Sequence, residues 1–165
     1  MTKETYNKMT QPFREQPERA KSLHIANKIL TAILFWAYPM LLIRLYIDQS
    51  DLLLRAILVP LDGFIAVTVF RALVNRKRPY EKFGIPPVIP KDTTGRSFPS
   101  RHVFSAAIIA FTFLAVPGCV GIGMVLLVCT VLIALIRVIS GVHYISDVVA
   151  AVMIAALIAV LYTIL

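Results

Sequence analysis

Long apolar runs dominate this chain and restrict what it can fold into. Five of them follow residue 26, at 27–47, 52–74, 102–116, 119–138 and 144–165. Most approach the ~20 residues that a helix needs to cross ~30 Å of hydrocarbon. Hydrophobic residues make up 58% of the 165 positions, and a soluble domain of this size has too little interior to bury them. Because lipid offers no hydrogen-bond partners, each run must satisfy its backbone as a helix. The sequence therefore predicts an all-α, polytopic transmembrane helix bundle of about five spans.

Two segments differ from the apolar runs. Residues 1–26 are polar and of mixed charge, and we expect an N-terminal surface arm that can lie on the membrane as an interfacial helix. Residues 27–165 would form the membrane-embedded domain, with short turns between antiparallel neighbours. The exception is the connection 75–101, which is long, basic and rich in proline. Loops of this length are usually functional, and its prolines favour a stiff, extended path.

The net charge of +8 lies in blocks that border the apolar runs. This placement suits anionic head groups or a phosphorylated substrate better than nucleic acid. The expected partners are the bilayer and a lipid phosphate, with no nucleic acid, and the residues do not indicate an oligomeric state.

Arginines mark the ends of the second and fourth runs. Arg71 and Arg78 are seven residues apart, which is close to two helical turns, so they face one side. Pro79 disfavours helical geometry at Arg78 and places it at the helix end, and Arg137 ends the fourth run. Guanidinium groups at a membrane interface suit a multi-oxygen anion such as phosphate. Taken singly, each could instead reach towards lipid head groups.

Histidines open the third and fifth runs. Ser100 is a suitable N-cap ahead of Arg101 and His102, and the first free N–H groups of a helix form an anion site. His143 and Asp147 stand at i and i+4 on one helical face. The carboxylate can then fix one imidazole nitrogen and leave the other free as a nucleophile or base, although a purely structural pair would look the same. Antiparallel runs would bring all these ends to one membrane face.

Three spacings support a family assignment. Arg-x6-Arg-Pro at 71–79, Pro-Ser-x-His at 99–102 and Arg-x5-His-x3-Asp at 137–147 resemble the signatures of the type 2 phosphatidic acid phosphatase superfamily. That superfamily includes lipid phosphate phosphatases, undecaprenyl diphosphate phosphatases and vanadium haloperoxidases. The resemblance covers roughly residues 53–165. The family's motifs usually have lysine in place of Arg71, glycine in place of Arg101 and serine in place of Ile136, and members commonly have six spans.

The resemblance implies a mechanism. His143 would be the nucleophile, Asp147 would orient it, and His102 would serve as general acid and then base. The phosphate would be bound by Arg71, Arg78, Ser100, Arg101 and Arg137. Guanidinium groups can supply the electrostatic role of a metal, and the chain lacks the carboxylate cluster of a two-metal phosphatase. We therefore expect neither a metal nor another cofactor.

The expected function is hydrolysis of a phosphate monoester or diphosphate of a lipid through a phosphohistidine intermediate. Phosphatidic acid, phosphatidylglycerol phosphate and polyprenyl diphosphate all remain open as substrates. One alternative is vanadate-dependent halide oxidation, but the relatives that perform it are soluble. The other is a non-catalytic lipid-binding or transport-associated protein with a degenerate site, which the retention of both motif histidines and Asp147 disfavours.

Charge bias predicts the orientation in the cell membrane. The arm and the 75–101 loop carry many lysines and arginines, whereas the opposite turns contain Asp48 and Asp51 and no basic residue. The positive-inside rule then places the N-terminus and the active site in the cytoplasm. The resemblance points the other way, because many bacterial relatives act on the outer face.

Overall fold

The computed structural model describes residues 1–91 and 93–164, with side chains described up to residue 161, and this part of the chain contains no strand. Its helices are α1 (Lys3–Arg14), α2 (Pro17–Ile47), α3 (Leu52–Val74), α4 (Pro79–Phe83), α5 (Arg101–Ala115), α6 (Val120–Ile139) and α7 (Ile145–Ile164).

Five of these helices, namely α2, α3, α5, α6 and α7, coincide with the predicted spans, so the predicted all-α membrane bundle is confirmed. Within the described residues, three apolar segments are long enough to cross a bilayer, at Pro17–Ile47, Leu52–Phe83 and Val120–Ile139, while the apolar parts of α5 and α7 are shorter. Large apolar side chains cover the outside of the bundle, including Trp36, which is 68% exposed, and Leu73, which is 78% exposed. Apolar surface on this scale is stable in lipid and costly in water.

The central helix of the bundle is α5, which contacts α2, α3, α6 and α7. It is only 15 residues long, and at ~1.5 Å per residue it covers roughly 22 Å. Its core face alternates small and large side chains, with Ala107 and Ala110 fully buried beside Phe104 and Ile108. A Cβ at Gly63 of α3 would lie 2.8 Å from the Phe104 ring, so a glycine is needed there for α3 to approach α5 closely.

The predicted arm has more structure than its sequence suggested. α1 is a separate helix, and α2 begins at Pro17, before the predicted start of the first span. Proline is favoured in the first turn of a helix because an N–H group at that position would have no partner within the helix, so its absence costs nothing. α1 also does not lie only on the surface, since Tyr6 and Thr10 are fully buried. The Tyr6 hydroxyl donates to the carbonyls of Ile85, at 3.3 Å, and Gly141, at 3.4 Å.

The 75–101 connection contains the short helix α4, whereas the sequence favoured an extended path throughout. One backbone hydrogen bond closes the loop on itself, from the Ser97 amide to the Arg76 carbonyl at 2.9 Å. Another ties it to the end of α6, from the Val88 amide to the Ser140 carbonyl at 3.0 Å. Such contacts join residues distant in the chain, which local propensity does not encode. They bring the loop over the end of α6 and the start of α7.

Candidate active site

A polar cavity of about 560 Å³ lies at the membrane face where α3 and α6 end and where α5 begins and α7 follows the α6–α7 turn. Its described lining is Thr68, Arg71, Ala72, Asn75, Arg78, Lys91, Thr93, Thr94, Arg96, Arg101, His102, Arg137, Val142 and His143. The predicted site residues that line it are therefore Arg71, Arg78, Arg101, His102, Arg137 and His143. The three motifs, far apart in sequence, meet in one cavity.

His143 stands on the turn between α6 and α7 and is only 2% exposed. Its Nδ1 lies 3.4 Å from Oδ2 of the fully buried Asp147. Since a carboxylate can only accept, Nδ1 carries the proton and Nε2 keeps its lone pair. That Nε2 lies 3.5 Å from Nη1 of Arg78. The free nitrogen therefore faces a guanidinium group, as a nucleophile for a bound phosphate would.

The backbone of the α6–α7 turn fixes this position. The amides of Val142 and His143 both donate to the Arg137 carbonyl at 3.2 Å. Gly141 adopts a φ of +74°, and a Cβ there would lie 2.3 Å from the Tyr6 hydroxyl oxygen. Glycine meets both requirements, because it tolerates positive φ and leaves room for the ring.

Arg71, Arg78 and Arg137 are all buried, and these residues are 8%, 5% and 5% exposed. Arg71 donates to the carbonyls of Pro99 and Arg96, and the Arg78 Nε donates to the Gly95 carbonyl at 3.0 Å. These bonds orient both guanidinium groups and hold the loop against α3. The Arg137 Nε, by contrast, has no hydrogen-bond partner among the described residues. A buried donor without a partner is costly, and an anion in the cavity would satisfy it.

Arg101 and His102 lie at the start of α5, and both line this cavity. His102 is half-buried, whereas Arg101 is exposed and its guanidinium lies 5.6 Å from the centre of the Phe64 ring. Both residues also line a second, apolar cavity of about 280 Å³ that opens between α2, α3 and α5. The polar and apolar cavities thus share these two side chains in their walls.

Ser100 occupies the predicted N-cap position of α5 but makes no capping hydrogen bond with its side chain. Its amide donates to the Asp147 carbonyl at 3.0 Å, its hydroxyl is buried without a partner among the described residues, and it is not part of the cavity lining. Its predicted phosphate contact stays a prediction, and the observed contact ties the start of α5 to α7.

The carboxylate of Asp147 has partners that the sequence did not indicate. The Ser97 hydroxyl donates to Oδ2 at 2.5 Å, the Tyr144 amide donates to Oδ2 at 3.0 Å, and Arg76 donates to Oδ1 at 2.8 Å. Arg76 also stacks on the Tyr144 ring at 4.1 Å. No spacing rule links Arg76 or Ser97 to Asp147, because only the folded loop brings them together.

Charge and burial set the ionisation of the groups outside the spans. Burial lowers the pKa of His143 to about 4, partly opposed by its hydrogen bond with Asp147. Burial, followed by the charges of Arg137 and Arg78, also lowers the pKa of Lys91. His143 is therefore neutral at physiological pH and available as a nucleophile. In the described residues, no three histidine, cysteine, aspartate or glutamate side chains cluster closely enough to hold a metal ion.

The motifs and the fold of this chain both have counterparts in known proteins. The family model described as the PAP2 superfamily matches residues 51–165. The fold is similar to the crystal structure of Aquifex aeolicus LpxE, with a TM-score of 0.74 and 20% identity over 98% of this chain and 94% of that one. It is also similar to the transmembrane PAP2 type phosphatidylglycerolphosphate phosphatase from Bacillus subtilis, with a TM-score of 0.72 and 18% identity over 97% and 83%. No curated protein matches the chain in sequence.

Proposed function

Because the chain belongs to the PAP2 superfamily, as its motifs indicated, we propose that it is a membrane lipid phosphatase that works through a phosphohistidine intermediate. The observation that carries the proposal is the placement of His143. Its Nδ1 is held by Asp147, and its Nε2 faces Arg78 in a cavity that Arg71 and Arg137 also line. This arrangement joins an oriented nucleophile to a binding site for phosphate oxygens.

The first step is attack by Nε2 of His143 on the phosphorus. The bond between phosphorus and the ester or bridging oxygen breaks. That oxygen keeps the electron pair of the broken bond and receives a proton from His102. Asp147 stabilises the positive charge that forms on the ring of His143. The guanidinium groups of Arg78 and Arg137 offset the negative charge on the equatorial oxygens.

In the second step water hydrolyses the phosphorus–nitrogen bond. His102, now neutral, takes a proton from the water as it attacks, and inorganic phosphate and free His143 result. Both half-reactions can use the same His102 because it lines the same cavity as the nucleophile. The arginines supply the positive charge that the transition state needs, so we further propose that turnover requires no metal.

Phosphate release from a panel of lipid phosphates by the purified chain in detergent tests this function. Wild type should hydrolyse at least one lipid, and His143→Ala should not. Tyr46→Ala is a suitable control because Tyr46 is 73% exposed at the far end of α2. Release by wild type should persist in the presence of a chelator. Activity that vanishes with chelator and returns only with added metal would contradict the metal-independent reaction.

The orientation is a separate proposal. We retain the cytoplasmic placement that the positive-inside rule predicts, with α1 on the active-site side because Tyr6 contacts Gly141. Lys82 is exposed on α4, and the chain's own cysteines, Cys119 and Cys129, are buried. An impermeant maleimide should therefore label Lys82→Cys only after intact cells are opened. Labelling in unopened cells would place the site on the outer face.

A further inference from the structure

The cavity carries more positive charge than the transfer of one phosphate uses. Besides Arg71, Arg78 and Arg137, its described lining includes Lys91, Arg96 and Arg101 and no carboxylate. Cations gathered this closely repel one another, and the lowered pKa of Lys91 reflects burial and the charges of its arginine neighbours. A volume of about 560 Å³ also falls in the range of pockets for whole small molecules, roughly 300–1,000 Å³. The site is suited to a more highly charged group than one phosphate.

The position of Arg101 indicates where the additional charge lies. The apolar cavity is lined by Leu34, Phe35, Phe64, Ala106, Ile109 and Ile133 among others, and among the described residues it shares Arg101 and His102 with the polar cavity. A hydrocarbon chain in the apolar cavity and a phosphorus atom at His143 are therefore joined through a group that passes these two residues. That group contains the oxygen that His102 protonates. Arg101 consequently lies beside the leaving group.

The charge of the leaving group then distinguishes the substrates. When a lipid monophosphate with a neutral backbone is cleaved, the leaving group is an alcohol and needs no cation. When a lipid diphosphate is cleaved, the leaving group is the proximal phosphate, which gains negative charge as the bridging bond breaks. A guanidinium at this point stabilises only the second reaction strongly.

Building on the proposed phosphatase activity, we propose that Arg101 makes this chain selective for lipid diphosphates by binding the proximal phosphate at the junction of the two cavities. The terminal phosphate is transferred to His143, and the bond from its phosphorus to the bridging oxygen breaks. The bridging oxygen receives a proton from His102, and the lipid leaves as a monophosphate. Water then releases inorganic phosphate from His143, so one diphosphate and one water give one lipid monophosphate and one phosphate.

The test compares two substrates with the same hydrocarbon chain, farnesyl diphosphate and farnesyl monophosphate, in detergent. Wild type should show a higher kcat/KM for the diphosphate. Arg101→Gln should lower the diphosphate value by roughly ten- to a hundred-fold, as expected for loss of one charge-assisted hydrogen bond, and the monophosphate value several-fold less. Arg101→Lys should recover part of the diphosphate rate. Lys82→Gln is the matched control, because Lys82 is an exposed cation of the same loop outside the cavity.

Two results would overturn the proposal in different ways. If wild type hydrolyses both substrates and Arg101→Gln lowers both rates alike, Arg101 does not recognise the proximal phosphate. The proposed phosphatase function would be unaffected by that result. If wild type hydrolyses neither these nor any other lipid phosphate, the function itself fails and the selectivity with it. Because Arg101 is exposed, its replacement leaves the core intact, and the remaining monophosphate activity reports on folding in the same preparation.

Discussion

Replacing Asp147 with asparagine isolates the electrostatic part of the proposed mechanism. The substitution keeps the shape of the side chain and removes its negative charge. Asp147 is fully buried behind His143 and is not part of the cavity lining, so it touches the nucleophile but not the phosphate. We therefore expect Asp147→Asn to lower kcat and to leave KM nearly unchanged.

The size of the effect follows from the contacts. The distance of 3.4 Å between Nδ1 of His143 and Oδ2 of Asp147 is long for a hydrogen bond, and charge developing on the ring strengthens it in the transition state. A hydrogen bond to a charged group contributes about 1.5–3 kcal/mol. At about 1.4 kcal/mol for each factor of ten, kcat should fall roughly 10- to 150-fold. Arg76 also loses a partner, but its side chain is 38% exposed, so water offsets most of that loss.

The assay is steady-state phosphate release from a water-soluble, short-chain lipid phosphate, with thermal unfolding in detergent measured on the same samples. Asp48→Asn provides a matched control, because Asp48 pairs with Arg44 at 3.4 Å where both side chains are about half exposed. It should leave both kinetic constants unchanged. A folded Asp147→Asn protein with kcat within a factor of two of wild type would refute the assigned role of the carboxylate.

Three further predictions concern the nucleophile and the turn that carries it. Because burial lowers the pKa of His143 to about 4, its ring should stay neutral at pH 5.5 by NMR, and titration near pH 6.5 would contradict this. The contribution of the neutral ring to stability is complete above pH 6.5 and is lost as the pH falls towards 4. Gly141→Ala should destabilise the protein by more than the ~1–2 kcal/mol that a left-handed alanine costs, because its Cβ meets Tyr6. Gly84→Ala, with a φ of +65° and open space, should show only the backbone cost, and equal melting temperatures would refute the contact. Tyr6→Phe should lower the free energy of unfolding by about 1 kcal/mol, and no change would show that its two long hydrogen bonds contribute nothing.

The sequence was sufficient to predict which helix ends meet. Apolar runs fix the spans, short turns fix their alternation, and alternation places Arg78, His102, Arg137 and His143 at one membrane face. The i, i+4 spacing of His143 and Asp147 likewise indicates their contact, since it follows from helix geometry alone. Both inferences depend on regular structure, in which sequence distance determines spatial distance.

The loop and the arm could not be predicted in the same way. Arg76 and Ser97 reach Asp147 only because the 75–101 loop folds back on itself and on the α6–α7 turn. Lys91 was counted as part of a basic loop, and its side chain lines the cavity. Nothing in the polar segment around Tyr6 indicated that this residue would be buried, although it is fully buried. These contacts join residues distant in sequence and outside any repeating pattern.

The central claim is that phosphate passes through His143, and trapping the intermediate tests it most directly. A radiolabelled substrate with a good leaving group, whose departure needs no proton from His102, would be mixed with the His102→Ala variant, so that release of the intermediate is the step that is slowed. The reaction would be quenched in alkali. The account predicts protein-bound phosphate that survives alkali, is released by acid and maps to the peptide containing His143. If this variant turns over substrate with no bound phosphate, or with phosphate on another residue, the account is contradicted.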